Sequence, residues 1–235
     1  MIALLLNSGM GTRMGELTKD SPKCMTKLCS DETIISRQLK YLSNLGITKA
    51  VITTGPFENK LKDYCNGLFP DISFTFVNNP EYRNTNYIYS MFLAKEYLND
   101  DIVLMHGDLV FEKSVLKDLI ASDSSCAVIS SNIDLPEKDF KAKTENGYIR
   151  KIAIDIFEGC YAFQPLYKIN CNDFILWMKK IEEFCKSGND KCYAENAFNE
   201  ISDTCLIKAY DVKDRMCCEI DSAEDLKTVN ERLCE

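Results

Sequence analysis

An α/β fold built on a doubly wound, mostly parallel sheet is what the 235-residue sequence predicts, on three observations. Strand-length apolar runs alternate with helix-length amphipathic segments through the first half. The first run, residues 2–6, is continuously apolar and gives way at once to a glycine-bearing loop. After Pro136 the alternation stops and a hairpin pattern takes over. Residues 33–45 carry Ile35, Leu39, Leu42 and Leu45 at helical spacing, with Asp31 expected as N-cap and Gly46 as the stop. Residues 50–54 read as a strand, 57–64 as a helix and 73–77 as a strand. Residues 86–98 form a helix whose apolar face is Ile88, Met91, Phe92 and Tyr97. A buried strand at 102–106, a helix at 113–120 and a strand at 126–130 complete the alternating half.

In the second half, Glu145-Asn146-Gly147 is a turn signal between two extended stretches, which predicts a hairpin. Residues 173–185 and 194–201 are helical in pattern, and 205–210 form a strand. Residues 222–233 close the chain as a helix capped by Ser222, with Asp225 in the capping-box position and Glu224 beside it. No linker, repeat or low-complexity tract interrupts residues 1–235, so one domain with a small α+β annex is expected.

Composition removes several function classes. The net charge of -8, from 28 basic and 36 acidic residues, argues against nucleic-acid binding, which needs a basic face. An acidic protein that handles an anionic ligand must concentrate its cations at the site. Twelve cysteines are present, but no Cys-x-x-Cys occurs and His106 is the only histidine, which speaks against structural zinc. Several, such as Cys126 and Cys205, sit in apolar strand-like runs as small hydrophobes. The opening MIALLL is short for a signal sequence and lacks a basic leader, and no apolar run approaches a membrane span. A reduced, cytoplasmic protein is expected.

The chemistry concentrates in the loop after the first strand, Asn7-Ser8-Gly9-Met10-Gly11-Thr12-Arg13-Met14, followed by Ser21-Pro22-Lys23. Glycines directly after a buried strand let main-chain N–H groups approach phosphates with no Cβ in the way. This is neither the dinucleotide nor the P-loop pattern: Met14 takes the third-glycine place, and no Gly-Lys-Ser/Thr occurs. Two cations, Arg13 and Lys23, bracket the loop. A glycine turn alone could be a tight strand exit; with both cations it reads as a phosphate site.

On these residues the chain resembles the nucleotidyltransferase superfamily marked by G-x-G-x-R followed by P-K. Gly147-Tyr148-Ile149 and Gly159-Cys160-Tyr161-Ala162-Phe163 look like that family's central hairpin and the strand that covers the substrate. Among subfamilies, it is most similar to bacterial choline-phosphate cytidylyltransferases and their phosphonate-using relatives. That likeness is carried by Asn86 with Tyr89-Ser90, by Tyr193-Ala194-Glu195-Asn196 and by Glu219-Ile220-Asp221-Ser222. One departure is Asn7-Ser8, where the family usually has small apolar residues. The fold implied is a Rossmann-like doubly wound sheet, mixed but mostly parallel, with an α+β annex over the substrate.

The resemblance implies a CTP-dependent cytidylyltransferase that joins CMP to a small phosphate or phosphonate and releases pyrophosphate. It pairs Asp108 and Asp221 as ligands of Mg2+, an ion that favours carboxylates and phosphate oxygens, with Glu219 as a rival for the second place. Arg13 would hold the leaving pyrophosphate and Lys23 the α-phosphate and acceptor. Leu6, Asn7, Ser8, Gly9, Gly11, Thr12 and Gly107 would receive the nucleotide, with Asn86 and Ser90 reading base or ribose. The acceptor residues are Phe140, Tyr161, Tyr193 and Glu195. Trp177 reads as core and His106 as structural. Ala194 supplies no bulk beside Tyr193, and Glu195 suits a primary ammonium, so a 2-aminoethylphosphonate-like acceptor is favoured over phosphocholine. The implied partners are therefore CTP and the acceptor, with a homodimer left open. Two rival readings stand beside this one: a sugar-1-phosphate nucleotidyltransferase, and a nucleotide-sensing domain without catalysis. Arg13, Lys23, Asp108 and Asp221 occurring together speak against the second.

Overall fold

The computed structural model describes residues 1–29 and 31–234. Its first strand, β1 (Ile2–Asn7), is buried along its whole length because it lies inside the sheet. It pairs in parallel with β2 (Lys49–Thr54) on one side and β4 (Ile102–His106) on the other. β3 (Ser73–Asn78) extends this parallel block beyond β2. The register sets Leu6 beside both Thr53 and His106, so the loops leaving these strands emerge together at the carboxyl edge. That edge is where open α/β sheets bind ligands.

Helices link the strands. They are α1 (Ile34–Asn44), α2 (Glu58–Leu68) and α3 (Tyr87–Ala94), with α4 (Lys113–Ile120) later. The N-cap of α1 is Thr33 rather than Asp31. Thr33 Oγ1 accepts from the Ser36 N–H at 3.1 Å, and Ser36 Oγ accepts from the Thr33 N–H at 2.8 Å. Asp31 lies two residues earlier with a left-handed φ of 59°, too far back to reach the free N–H groups of the first turn. Gly46 does stop the helix, at φ 80°.

The remaining elements are β5 (Leu109–Phe111), β6 (Cys126–Ser130), β7 (Lys141–Glu145), β8 (Tyr148–Ala153), β9 (Cys160–Ile169), α5 (Cys171–Lys186), α6 (Ala194–Asn199), β10 (Lys208–Asp211), β11 (Cys217–Glu219) and α7 (Ala223–Cys234). The main sheet runs β3-β2-β1-β4-β9-β6-β10-β8-β7. The expectation of a mostly parallel sheet needs correcting here. Parallel pairing holds in β3-β2-β1-β4 and in β6-β10, whereas β9 lies antiparallel between β4 and β6. The cause is connectivity: β7, β8 and β9 follow one another through short links with no crossover helix, and such links join antiparallel strands. The β7–β8 turn has Asn146 at φ 52° and Gly147 at φ 79°, both left-handed, as a two-residue hairpin turn requires. β5 and β11 form a separate antiparallel pair.

Apolar side chains fill both faces of the sheet. α3, α5 and α6 cover one face, with Trp177, Phe174, Ile181 and Phe198 against Tyr167. The Trp177 indole donates to the Ala194 carbonyl at 2.9 Å, so it belongs to the core as expected. α1, α2 and α4 cover the other face through Ile35, Leu39, Leu61 and Leu116. The cysteine thiols are free, and Cys24, Cys65, Cys126, Cys205 and Cys217 are buried. No described helix is long and apolar enough to cross a membrane.

Candidate active site

β1 ends at the carboxyl edge, and the chain leaves it through a turn that only glycine suits at position 11. Gly11 has φ 63°, and a Cβ there would lie 3.1 Å from the Cβ of Lys23. The Thr18 hydroxyl donates to the Gly11 carbonyl at 2.8 Å and closes the loop. The stem of Lys23 therefore packs directly on the glycine turn. Its ammonium reaches Asp108 at 2.6 Å and also hydrogen-bonds Asp221. Arg13 meets Asp221 from the solvent side at 2.9 Å. The Ile220 N–H donates to the Asp108 carbonyl at 3.0 Å, which ties the segment before α7 to the end of β4. Four residues from three distant parts of the chain are thus in one cluster.

Burial alone would lower the Lys23 pKa. The two carboxylates outweigh it and hold the ammonium charged, above its ordinary value. Burial likewise works to raise Asp108, and Lys23 together with His106 overcomes it, so Asp108 lies below the usual carboxylate range. Glu219 behaves oppositely. Burial first, then the charge of Asp108, pushes it up to about 7 against the hydrogen bond from His106. His106 Nδ1 lies 3.1 Å from Glu219 Oε1. Burial works to lower the imidazole pKa, and the hydrogen bond to Glu219 together with the charges of Glu219, Asp108 and Glu195 outweighs it and raises it.

A divalent cation fits this crowd of anions. His106, Asp108 and Glu219 each offer an atom, all within 4.8 Å of one another. Asp108 Oδ1 and His106 Nε2 are buried and without a hydrogen-bond partner among the described residues. Asp221 completes a carboxylate pair with Asp108, and the Lys23 ammonium lies between them, standing in for a cation. A hard ion favours the oxygens, with Asp108 common to every arrangement.

Two hollows meet at Leu6, Gly9, Arg13 and Asp108. The smaller, about 260 Å³, is bounded by Asn7, Gly11, Thr12, Lys23 and Gly107 and is polar. A Cβ at Gly107 would fall 1.8 Å from Asn7 Oδ1, so any side chain there would displace the Asn7 amide. The Asn7 amide lies across position 107 and occupies that space. The larger cleft, about 410 Å³, has a polar stretch of wall, Ser8, Asn79, Tyr82, Thr85 and Asn86, and a mostly aromatic one, Tyr87, Phe140, Ile154 and Tyr193. Asn86 also caps α3, accepting from the Tyr87 N–H at 2.8 Å. Ser90 is fully buried and does not line the cleft. Its hydroxyl bonds Ser8 Oγ at 2.7 Å and accepts from Asn79 at 3.0 Å, so it supports the wall from behind.

Residues 3–136 match the model of the MobA-like NTP transferase domain. The chain belongs to that family. The chain is 32% identical over 129 residues to a CMP-5'-(3-aminopropyl)phosphonate synthase of Streptomyces rubellomurinus; the match covers 55% of this chain and only 20% of that longer protein. It is 26% identical to a CTP:phosphoglutamine cytidylyltransferase of Campylobacter jejuni, over 99% of this chain and 100% of that one. The CTP:phosphocholine cytidylyltransferase structure from Streptococcus pneumoniae superimposes with a TM-score of 0.83 at 19% identity, covering 99% of both chains, which shows the shared mixed α/β fold.

The fold places the four expected acceptor residues unevenly. Phe140 and Tyr193 line the cleft and pack edge-to-face at 4.9 Å, with Tyr87 5.8 Å from Tyr193. Tyr161 lies on β9 away from the lining. Glu195 is 1% exposed and does not reach the cleft. The Tyr167 hydroxyl donates to it at 2.6 Å and the Tyr87 hydroxyl donates to its other oxygen. Tyr87 stands between Glu195 and the cleft, so direct ammonium pairing by Glu195 is corrected. Ala194 is likewise buried in the core, and its small size says nothing about the cleft. The carboxylate that does line this wall is Asp139, beside Phe140. No periodic pattern marks it. Asn79 was within reach of sequence reasoning, because it follows β3 at the carboxyl edge as Asp108 follows β4.

Proposed function

We propose that this NTP transferase moves CMP from CTP to a small phosphate- or phosphonate-bearing acceptor and releases pyrophosphate. The observation that carries the reading is the Lys23 ammonium shared by Asp108 and Asp221 at the mouth of the glycine loop, with Arg13 beside it. The relatives named for aminopropylphosphonate, phosphoglutamine and phosphocholine support the choice of CTP and of this acceptor class. An acceptor oxygen forms a bond to the α-phosphorus as the bond to the bridging oxygen breaks, and the electron pair leaves on pyrophosphate. A phosphate or phosphonate is already ionised at neutral pH and needs no general base. Catalysis then rests on positioning and charge. Gly9, Gly11 and Thr12 present the loop backbone to the phosphates, Arg13 receives the pyrophosphate, and Lys23 turns from the carboxylates to the α-phosphate. Asp108 and Asp221, with Glu219 adjacent, would hold Mg2+, which neutralises charge on the phosphoryl oxygens when bound.

The base and ribose belong on the wall of Ser8, Asn79 and Asn86, and the acceptor head group on the wall of Tyr87, Phe140 and Tyr193. Those rings together with Asp139 suit an ammonium-bearing head group better than a sugar, which calls for amide and hydroxyl partners. The Rossmann-like half would bind nucleotide and the β7–β9 annex would cover the acceptor, with residues 1–235 acting as one unit. Pyrophosphate release measured with four NTPs against 2-aminoethylphosphonate, phosphocholine and glucose 1-phosphate tests the reading. CTP with an aminated acceptor should give the highest kcat/KM; a preference for the sugar phosphate would overturn it.

A further inference from the structure

Lys141 opens β7 with no exposed surface, and its ammonium meets no carboxylate within ion-pair distance among the described residues. It donates instead to two main-chain carbonyls, Pro136 at 2.5 Å and Asp139 at 3.0 Å. It also lies 4.3 Å from the ring centroid of Phe157. A buried ammonium is costly unless its donors are matched, and an apolar side chain of similar length would pack there without that cost. What the charge does is join two connections. The carbonyls belong to the segment entering β7, and Phe157 belongs to the link between β8 and β9. These same segments supply Asp139 and Phe140, and Ile154, to the cleft wall. Lys141 itself does not line the cleft.

The geometry points to Lys141 as a positioning residue for the acceptor: a latch that holds Asp139 and Phe140 in the wall and sets acceptor binding without touching it. The inference rests on the reading that this wall receives the acceptor. It differs from a general stabilising role because the latched segments supply only Lys138, Asp139, Phe140 and Ile154 to the cleft, and none of the glycine loop, Lys23 or the Ser8, Asn79 and Asn86 stretch.

The test uses the full-length chain with Lys141→Met, which keeps the stem and removes the donors, Lys141→Arg, which keeps charge and donors, and Phe157→Ala at the half-exposed ring. In the substrate-free protein, hydrogen exchange in Lys141→Met should rise at residues 131–140 and 154–159 and stay unchanged in β1 to β4. With CTP and 2-aminoethylphosphonate, the acceptor KM should rise at least ~10-fold while kcat and the CTP KM stay within ~3-fold, the signature of lost uniform binding. Lys141→Arg should restore most of the acceptor KM. Phe157→Ala should raise it by ~3-fold, as loss of one ring contact implies, and decides the matter if Lys141→Met does not fold. Unchanged exchange, or equal loss toward CTP and acceptor, overturns the latch. Altered exchange with an unchanged acceptor KM overturns its part in recognition while leaving nucleotidyl transfer standing.

Discussion

Gly55→Ala should damage nucleotide binding from outside the cleft. Gly55 follows β2, and a Cβ built on it lies 2.4 Å from the Ser8 carbonyl oxygen and 3.1 Å from its carbon. Both neighbours are backbone, so no rotamer change relieves the clash. Against the 3.0 Å floor for real Cβ contacts, Ser8 must retreat by 3.0 minus 2.4, or 0.6 Å. The 2.7 Å bond from Ser8 Oγ to the buried Ser90 hydroxyl resists that retreat. Overpacking of this kind costs roughly 1–3 kcal/mol. In a chain of this length each kcal/mol lowers Tm by roughly 2–4 °C. A misplacement of about 1 Å can cost ~100-fold in rate, so a shift of half that should lower kcat/KM for CTP by ~10-fold. Gly67→Ala is the control. It lies inside α2, and a Cβ added there meets nothing within 4 Å, so it should stabilise by ~0.4–1 kcal/mol and leave kinetics unchanged. Thermal unfolding and pyrophosphate-release kinetics on both variants decide it. Wild-type Tm and kcat/KM in Gly55→Ala would refute the reasoning, because they would show that Ser8 yields freely.

Further expectations concern the charges. Asp108→Asn and Asp221→Asn should each lower turnover by ~100-fold or more in magnesium while far-UV circular dichroism stays native, and a variant with near-normal turnover removes that residue from the site. Lys23→Ala should act chiefly on kcat and Arg13→Ala on both CTP KM and kcat; unchanged kinetics in both would defeat the transfer mechanism. In metal-free protein, Glu219 sits at about 7 folded against an ordinary 4.5, so the folded state holds the extra proton between those values. Stability from this group is fully present below about 4.5 and is lost as pH rises through about 7; denaturant melts across pH 4.5–8 should flatten in Glu219→Gln.

Much of this was readable in the residues themselves. Long periodic segments such as the one carrying Ile35, Leu39 and Leu42 declare both their type and their buried face. The glycine loop, Arg13 and Lys23 stand out because unusual residues occur there in fixed order, and the fold brings both cations to Asp108 and Asp221. The failures share a cause, which is that the deciding partner is missing from the local pattern. Asp31 lost the cap to Thr33 because Ser36 completes a reciprocal pair. Glu195 reads as a helix-start acid open to ligand until Tyr87 and Tyr167 are seen to enclose it. β5 and β11 have three residues each, too few for any period to register. Lys141 looks like an ordinary surface lysine at the mouth of a strand, and only the returning chain reveals it as buried.

The position of β9 bears on how the molecule can be assembled. β4 and β6 do not touch each other in the ladder; each is hydrogen-bonded to β9, whose first residue, Cys160, comes well after β6 ends at Ser130. A ribosome that has released only the family-matched stretch, residues 3–136, has exposed both of those strands with their partner still missing. Each then offers an open row of N–H and C=O groups of the kind that recruits other chains. A cut after residue 136, where sequence similarity draws its border, would therefore leave the stretch that carries the glycine loop with two open strand edges. Pairing so distant in sequence also makes closure of the sheet a slow, late event, set by the arrival of residues 160–169 rather than by the local helices.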